Sequence, residues 1–120
     1  MTAPTYSPGL HKLLTLEVTN TSKLTRSDLF VAFTASILQK YQLEKVGLSI
    51  HDFENQSFTI AFCLKESHLC VHTWPEFNQL TLDIYLCNYM VDNSEKVREI
   101  AQEYIRFFEA TIIKDFEINR

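Results

Sequence analysis

Between residues 66 and 76 the chain reads Glu66-Ser67-His68-Leu69-Cys70-Val71-His72-Thr73-Trp74-Pro75-Glu76, which sets two imidazoles, a thiol and a hydroxyl flanked by a carboxylate and an imidazole within eleven residues. Imidazole, thiol and carboxylate groups move protons near neutral pH, and a hydroxyl among them is a candidate nucleophile. The run also alternates Leu69 and Val71 against polar neighbours, as a strand does. A strand that spends its polar positions on such groups points to chemistry more than to packing.

Taken singly, each group has an ordinary reading. Ser67 lacks the G-x-S-x-G elbow of a hydrolase nucleophile and by composition alone reads as a turn serine. His68 and His72 fit strand histidines with structural hydrogen bonds, and Cys87 fits a small buried residue. Glu76, after Trp74-Pro75, fits a solvated turn carboxylate, and Phe53 a packing residue. Asp83 lies inside a strand, where acids are depleted, and an exposed sheet face accommodates it.

The elements that must position these groups follow from periodicity. Alternation predicts strands over Leu13 to Val18, Lys45 to Phe53, Ser57 to Leu64, His68 to Thr73, Leu80 to Cys87 and Thr111 to Ile118. A helix opening at Thr25 or Ser27 carries a stripe of Phe30, Phe33, Ile37 and Tyr41, with Leu29 and Leu38 alongside. A second, capped by Asn93 or Ser94, carries Val97, Ile100, Ala101, Tyr104, Ile105 and Phe108. The order β-α-β-β-β-β-α-β predicts an α+β fold, a two-layer sandwich of an antiparallel sheet with both helices on one face. Period two then sends His51, Phe53, Thr59, Cys63, Asp83, Tyr85 and Cys87 to the other face, with His68, Cys70 and His72. That face is either wet or covered by another subunit, and the second option makes it a site.

At 120 residues the chain is expected to be one domain, 1–120, able to bury roughly two-thirds of its extended surface. Apolar residues make up 46%, so a folded globular chain is expected, with only the first eight residues loose. A net charge of −4 with no basic cluster argues against a nucleic-acid partner. No signal-peptide pattern and no apolar run near the roughly 18 residues of a membrane span is visible, so a cytoplasmic protein without a membrane partner is expected. Cys63, Cys70 and Cys87 lack C-x-x-C spacing, so no metal site is expected and free thiols are the default.

The combination E-S-H-x-x-x-H-T-W-P-E followed eleven residues later by Cys87 closely resembles the bacterial and archaeal S-adenosylmethionine decarboxylases, which are pyruvoyl enzymes. The resemblance extends to His11-Lys12-Leu13-Leu14, His51-Asp52-Phe53 and Leu82-Asp83-Ile84-Tyr85-Leu86-Cys87. It implies a proenzyme that cuts itself between Glu66 and Ser67, the Ser67 hydroxyl attacking the Glu66 carbonyl to give an ester that eliminates, leaving a covalent pyruvoyl group made from Ser67. It implies proton transfer by His72 during elimination, with Thr59 at the position of an assisting hydroxyl. Cys87 is implied to protonate the carbon left by CO₂, Phe53 to stack on adenine and Glu76 to hold the ribose hydroxyls. The pyruvoyl carbonyl would take the substrate amine as a Schiff base and draw off electrons, with no diffusible cofactor. Further implications are decarboxylation of S-adenosylmethionine for spermidine and polyamine synthesis, and a homodimer formed through the open sheet faces with the sites at its interface.

The chain departs from the family pattern beside this run. The usual P-x-G-V-S-G stretch is replaced by Asn55, Gln56, Ser57, Phe58, Thr59 and Ile60, and the glycine that commonly follows the cysteine is Asn88. Two other readings accompany these changes: a pyruvoyl decarboxylase for another amino acid, such as ornithine or arginine, and an unprocessed regulatory relative.

Overall fold

The alternating stretches pair as a six-stranded sheet, seen here in a computed structural model that describes residues 7–88 and 91–120. Most of the N-terminal stretch expected to be loose lies outside those residues. The strands are β1 (Leu10–Glu17), β2 (Lys45–Asp52), β3 (Phe58–Leu64), β4 (Ser67–Trp74), β5 (Gln79–Leu86) and β6 (Thr111–Asn119). Their spatial order is β2-β3-β4-β5-β1-β6, every neighbouring pair antiparallel. Among the described residues three α-helices accompany them, α1 (Thr21–Thr25), which the periodicity does not predict, α2 (Ser27–Lys40) and α3 (Ser94–Phe108), with a 3-10 turn at Pro75–Phe77. Among the described residues no helix is long and apolar enough to cross a membrane.

The core lies between the helices and one sheet face. Phe58, Ile60, Phe62 and Leu64 of β3 meet Leu69 and Val71 of β4 and Leu80, Leu82, Ile84 and Leu86 of β5 there. Phe30 of α2 stacks on Tyr104 and Phe108 of α3 at 5.4 and 6.2 Å between ring centroids. Each such pair adds about 0.5–1.5 kcal/mol beyond the area it buries. The polar atoms trapped in this layer are satisfied, as burial requires. The Thr34 and Tyr104 hydroxyls bond at 2.6 Å, and Thr73 Oγ1 donates to Leu24 O at 2.8 Å while accepting from Phe58 N at 3.0 Å.

Three expectations change. Buried Thr34 shares the covered face of α2 with Phe30, Ile37 and Leu38, while Phe33 and Tyr41 are only partly buried. On β2 the apolar face is covered only at its middle: Leu48 packs against the core, whereas Val46 is 61% and Ile50 46% exposed, because β2 is an edge strand that the helices cover only in part. Asn93 sits at the N-cap of α3 without a side-chain capping bond, and Ser94 N–H is taken instead by Asp92 Oδ1 at 2.9 Å.

The opposite edge, β6, is exposed along its length and is held by its ladder to β1 and by charge. Buried Lys12 reaches Asp115 at 2.8 Å and Glu117 at 2.9 Å, and Arg98 of α3 also grips Glu117. Hydrogen bonds from Arg98, then Lys12, hold the Glu117 carboxyl down to about 2. A lowered folded-state value gives stability that is complete above the ordinary value of 4.5 and lost as pH falls toward about 2. Glu117→Gln should therefore lower stability at pH 7 and flatten its loss between those limits, as read by urea denaturation across pH. Parallel acid limbs for variant and parent would refute the assignment.

Candidate active site

Antiparallel register lines up the open face in rows. Thr59 of β3 faces His72 of β4, which faces Thr81 of β5, and Thr59 Oγ1 is hydrogen-bonded to His72 Nδ1. A hydroxyl on one ring nitrogen orients the imidazole and leaves the other nitrogen for chemistry. The His72 ring also packs against Trp74 at 4.2 Å and Phe53 at 5.8 Å.

Beside these rings opens a cavity of about 520 Å³ lined by Phe53, Glu54, Asn55, Ser57, His72, Trp74 and Glu76. Aromatic walls with a few polar groups suit a planar, polar-edged ligand. Glu76 lies at the rim, 3.5 Å from Asn55 Nδ2. Asn55 shapes that wall, because its Oδ1 accepts from Ser57 N at 3.2 Å and Ser57 Oγ at 2.6 Å. The left-handed backbone of this turn falls on Gln56, φ 71°, and not on Ser57 or Ile60, the positions where the resembled family carries glycine. An asparagine-stabilised turn thus forms here without glycine.

A second group lies at the other end of β4. Ser67 opens the strand with φ 153°, a backbone conformation costly for a side chain bearing Cβ and sustained only where the surroundings impose it. Beside it, Glu66 C=O accepts the Cys87 backbone N–H at 2.9 Å. That donor polarises the carbonyl next to Ser67 and is placed for charge developing on its oxygen. Asn93, expected as a cap, is buried here and donates Nδ2 to Cys87 O at 2.8 Å, while Asn88 Oδ1 accepts Asn93 N–H at 2.8 Å and Asn88 Nδ2 donates to Pro8 O at 2.8 Å. A Cβ on Gly9 would come within 2.9 Å of Cys87 Cα and closer still to Leu86 O, so only glycine lets the chain pass. Lys65, Glu66, Cys87 and Asn93 line a hollow of about 370 Å³ at this point.

The predicted residues therefore fall into two groups in one chain. Glu66, Ser67 and Cys87 meet at one end, and Phe53, Thr59, His72 and Glu76 at the other. Ser67 and His72 are five residues apart on β4, about 17 Å at the ordinary strand rise.

Between them lies a cluster that motif reading passes over. His11 of β1 and His68 of β4 flank Tyr85 of β5, with ring centroids 5.2–5.6 Å apart. Arg120 donates to His11 Nδ1 at 3.0 Å, and Asp83 lies 3.9 Å from His11 Nε2. Burial pushes the His11 imidazole below its ordinary value against the pull of Asp83, and His68 and Arg120 push the same way. The signal was present for His11, which shares the open-face parity of Leu13 and Thr15; for Asn93 and Asn88 there was none.

A family model described as S-adenosylmethionine decarboxylase matches residues 10–120. The S-adenosylmethionine decarboxylase proenzyme of Clostridium botulinum (strain Loch Maree / Type A3) is 27% identical over 104 residues, 87% of this chain and 89% of that protein. The proenzyme of the same description from Archaeoglobus fulgidus is 23% identical over 112 residues, 93% of this chain and 96% of that one. The crystal structure of the adenosylmethionine decarboxylase from Aquifex aeolicus VF5 superposes with a TM-score of 0.78 at 22% identity, covering 97% of this chain and 91% of that one, a likeness of fold.

The thiols of the site differ in surroundings. Burial, with Asp83 and Cys63 adding to it, raises the Cys70 thiol above its ordinary value, whereas Cys63 is exposed. Since the thiolate is the reactive form, iodoacetamide at neutral pH should label Cys63 well before Cys70. Peptide mass mapping over time would show it, and labelling of Cys70 first would contradict the geometry.

Proposed function

The chain belongs to the S-adenosylmethionine decarboxylase family, and from that premise we propose that it is a proenzyme of one domain that cuts itself between Glu66 and Ser67 and then decarboxylates S-adenosylmethionine. The product is the aminopropyl donor of spermidine and polyamine synthesis. The observation that carries this reading is the Glu66 carbonyl held by the Cys87 N–H beside a serine of strained φ. A peptide so held has its carbonyl polarised and its hydroxyl nucleophile adjacent, the two requirements of an N-to-O acyl shift. The covalent pyruvoyl group formed from Ser67 supplies an electron-withdrawing carbonyl for the release of CO₂.

The remaining roles belong to this chain's own side chains. His72, oriented by Thr59, moves the proton of the elimination that completes processing. Phe53 stacks on the adenine in the 520 Å³ cavity, and Glu76 at its rim takes the ribose hydroxyls. Cys87, half-buried beside Glu66, returns a proton to the substrate carbon. Free thiols at Cys63, Cys70 and Cys87 suit a reducing compartment, in keeping with a cytoplasmic enzyme.

The separation of the two groups along β4 argues for a homodimer. A two-fold partner laid across the open face, its β4 running the other way, sets the partner's His72 over the Ser67 end of the first chain. Phe116 and Ile118 are 57% and 47% exposed and share this face with Leu13, giving such a contact an apolar margin. Among the described residues, no feature of the site favours ornithine, arginine or an unprocessed subunit.

Intact-mass measurement of the purified protein should give fragments of 66 and 54 residues, and Ser67→Ala should stay whole. The processed protein should release CO₂ from S-adenosylmethionine, and Cys87→Ala should cleave yet turn over roughly 100-fold more slowly, the usual scale of a lost proton donor. A parent chain that stays whole, or one that releases CO₂ only from another amino acid, would overturn the proposal.

A further inference from the structure

We propose that His68 is the base that starts self-cleavage, taking the proton of the Ser67 hydroxyl within the same chain. This rests on the processing reading above and assigns a step to which that reading gives no base.

The Ser67 Oγ lies 3.4 Å from His68 Nδ1, and among the described residues no other imidazole has a hydrogen-bond contact with that hydroxyl. His72 of the same chain is about 17 Å away along β4. A serine hydroxyl attacks poorly at neutral pH unless a neighbour accepts its proton. The His68 ring is held for that task by its edge-on contact with His11 and its tilted contact with Tyr85, both at 5.6 Å. Arg120 has only N–H groups to offer, so its contact with His11 Nδ1 keeps that nitrogen an acceptor and His11 uncharged. An uncharged His11 places no cation in edge contact with the His68 ring.

The step balances within the chain. The Ser67 Oγ–H proton passes to His68 Nδ1 as Oγ bonds to the Glu66 carbonyl carbon, and the carbonyl electron pair moves onto the oxygen held by the Cys87 N–H. On collapse the carbon–nitrogen bond breaks and the departing Ser67 nitrogen takes the proton back from His68. The result is an ester through Oγ, a free amine at Ser67 and a neutral imidazole. The two histidines of the run thus serve successive steps: His68 forms the ester and His72 serves its elimination.

Hydroxylamine separates these steps, because it cuts an ester and leaves an ordinary peptide bond intact. His72→Ala should accumulate ester, which hydroxylamine cleaves to a 66-residue hydroxamate and a fragment beginning with serine rather than pyruvoyl. Adding His68→Gln or His68→Asn to that background should slow the appearance of these fragments roughly 100-fold, the scale of a lost general base. A measurement on chains that keep His68 covers the case in which those variants fail to fold: the His68 Nδ1 resonance of ¹⁵N-histidine-labelled His72→Ala protein, recorded directly after refolding and before ester accumulates, should differ from that of the same protein carrying Ser67→Ala. Double variants that form ester as fast as His72→Ala, or a resonance indifferent to Ser67→Ala, would overturn the assignment. A parent chain that never cleaves would instead defeat the processing reading itself.

Discussion

The pleat of the sheet is the constraint on which the rest depends. Successive side chains must leave a strand on opposite faces, so a chain that buries Phe58, Ile60, Phe62, Leu69, Val71, Leu82 and Ile84 under its helices presents their neighbours on the other side. Those neighbours include Thr59, His68, Cys70, His72, Asp83 and Tyr85. Antiparallel register converts this into rows, so that a hydroxyl on β3 meets an imidazole on β4. Burial on one face and chemistry on the other are one arrangement, and a one-residue slip of β4 would exchange them.

The second controlling feature is the join between the Glu66 and Cys87 loops. Pro8, Asn88, Asn93 and the Cys87 carbonyl form a chain of hydrogen bonds close to 2.8 Å, and its far end is the Cys87 N–H on the Glu66 carbonyl. Each donor in it is buried or half-buried with its partner supplied, the condition under which polar networks hold a unique geometry. Asn88, which replaces the glycine common after the family's cysteine, is thereby a structural participant. The asparagine-based turn at Asn55 is a similar substitution of side-chain hydrogen bonds for glycine's freedom, with Gln56 accepting the left-handed conformation.

Much of this was legible in the order of residues. Six strands, both long helices and the parity of the open face follow from period two and period 3.6, which are local properties of the backbone. The pairing of Thr59 with His72 was reached only through the family pattern, and the register explains it. Edge effects were not legible: Val46 and Ile50 alternate as a buried strand would, but burial depends on what lies across the strand. Asn93 reads as a cap because capping residues and buried hydrogen-bonding residues share one alphabet. The cluster of His11, Tyr85 and Arg120 joins three distant segments and left only a parity signal at His11.

The sequence by itself determined the six strands, the two long helices, the covered and open faces and the family, because each rests on spacing along the chain or on a contiguous motif. Tertiary structure alone decided which groups meet. It set the Cys87 N–H on the Glu66 carbonyl and placed His11 and Tyr85, from two other strands, against the His68 ring. Such distances arise from strand register and loop closure between remote residues, and no local pattern encodes them.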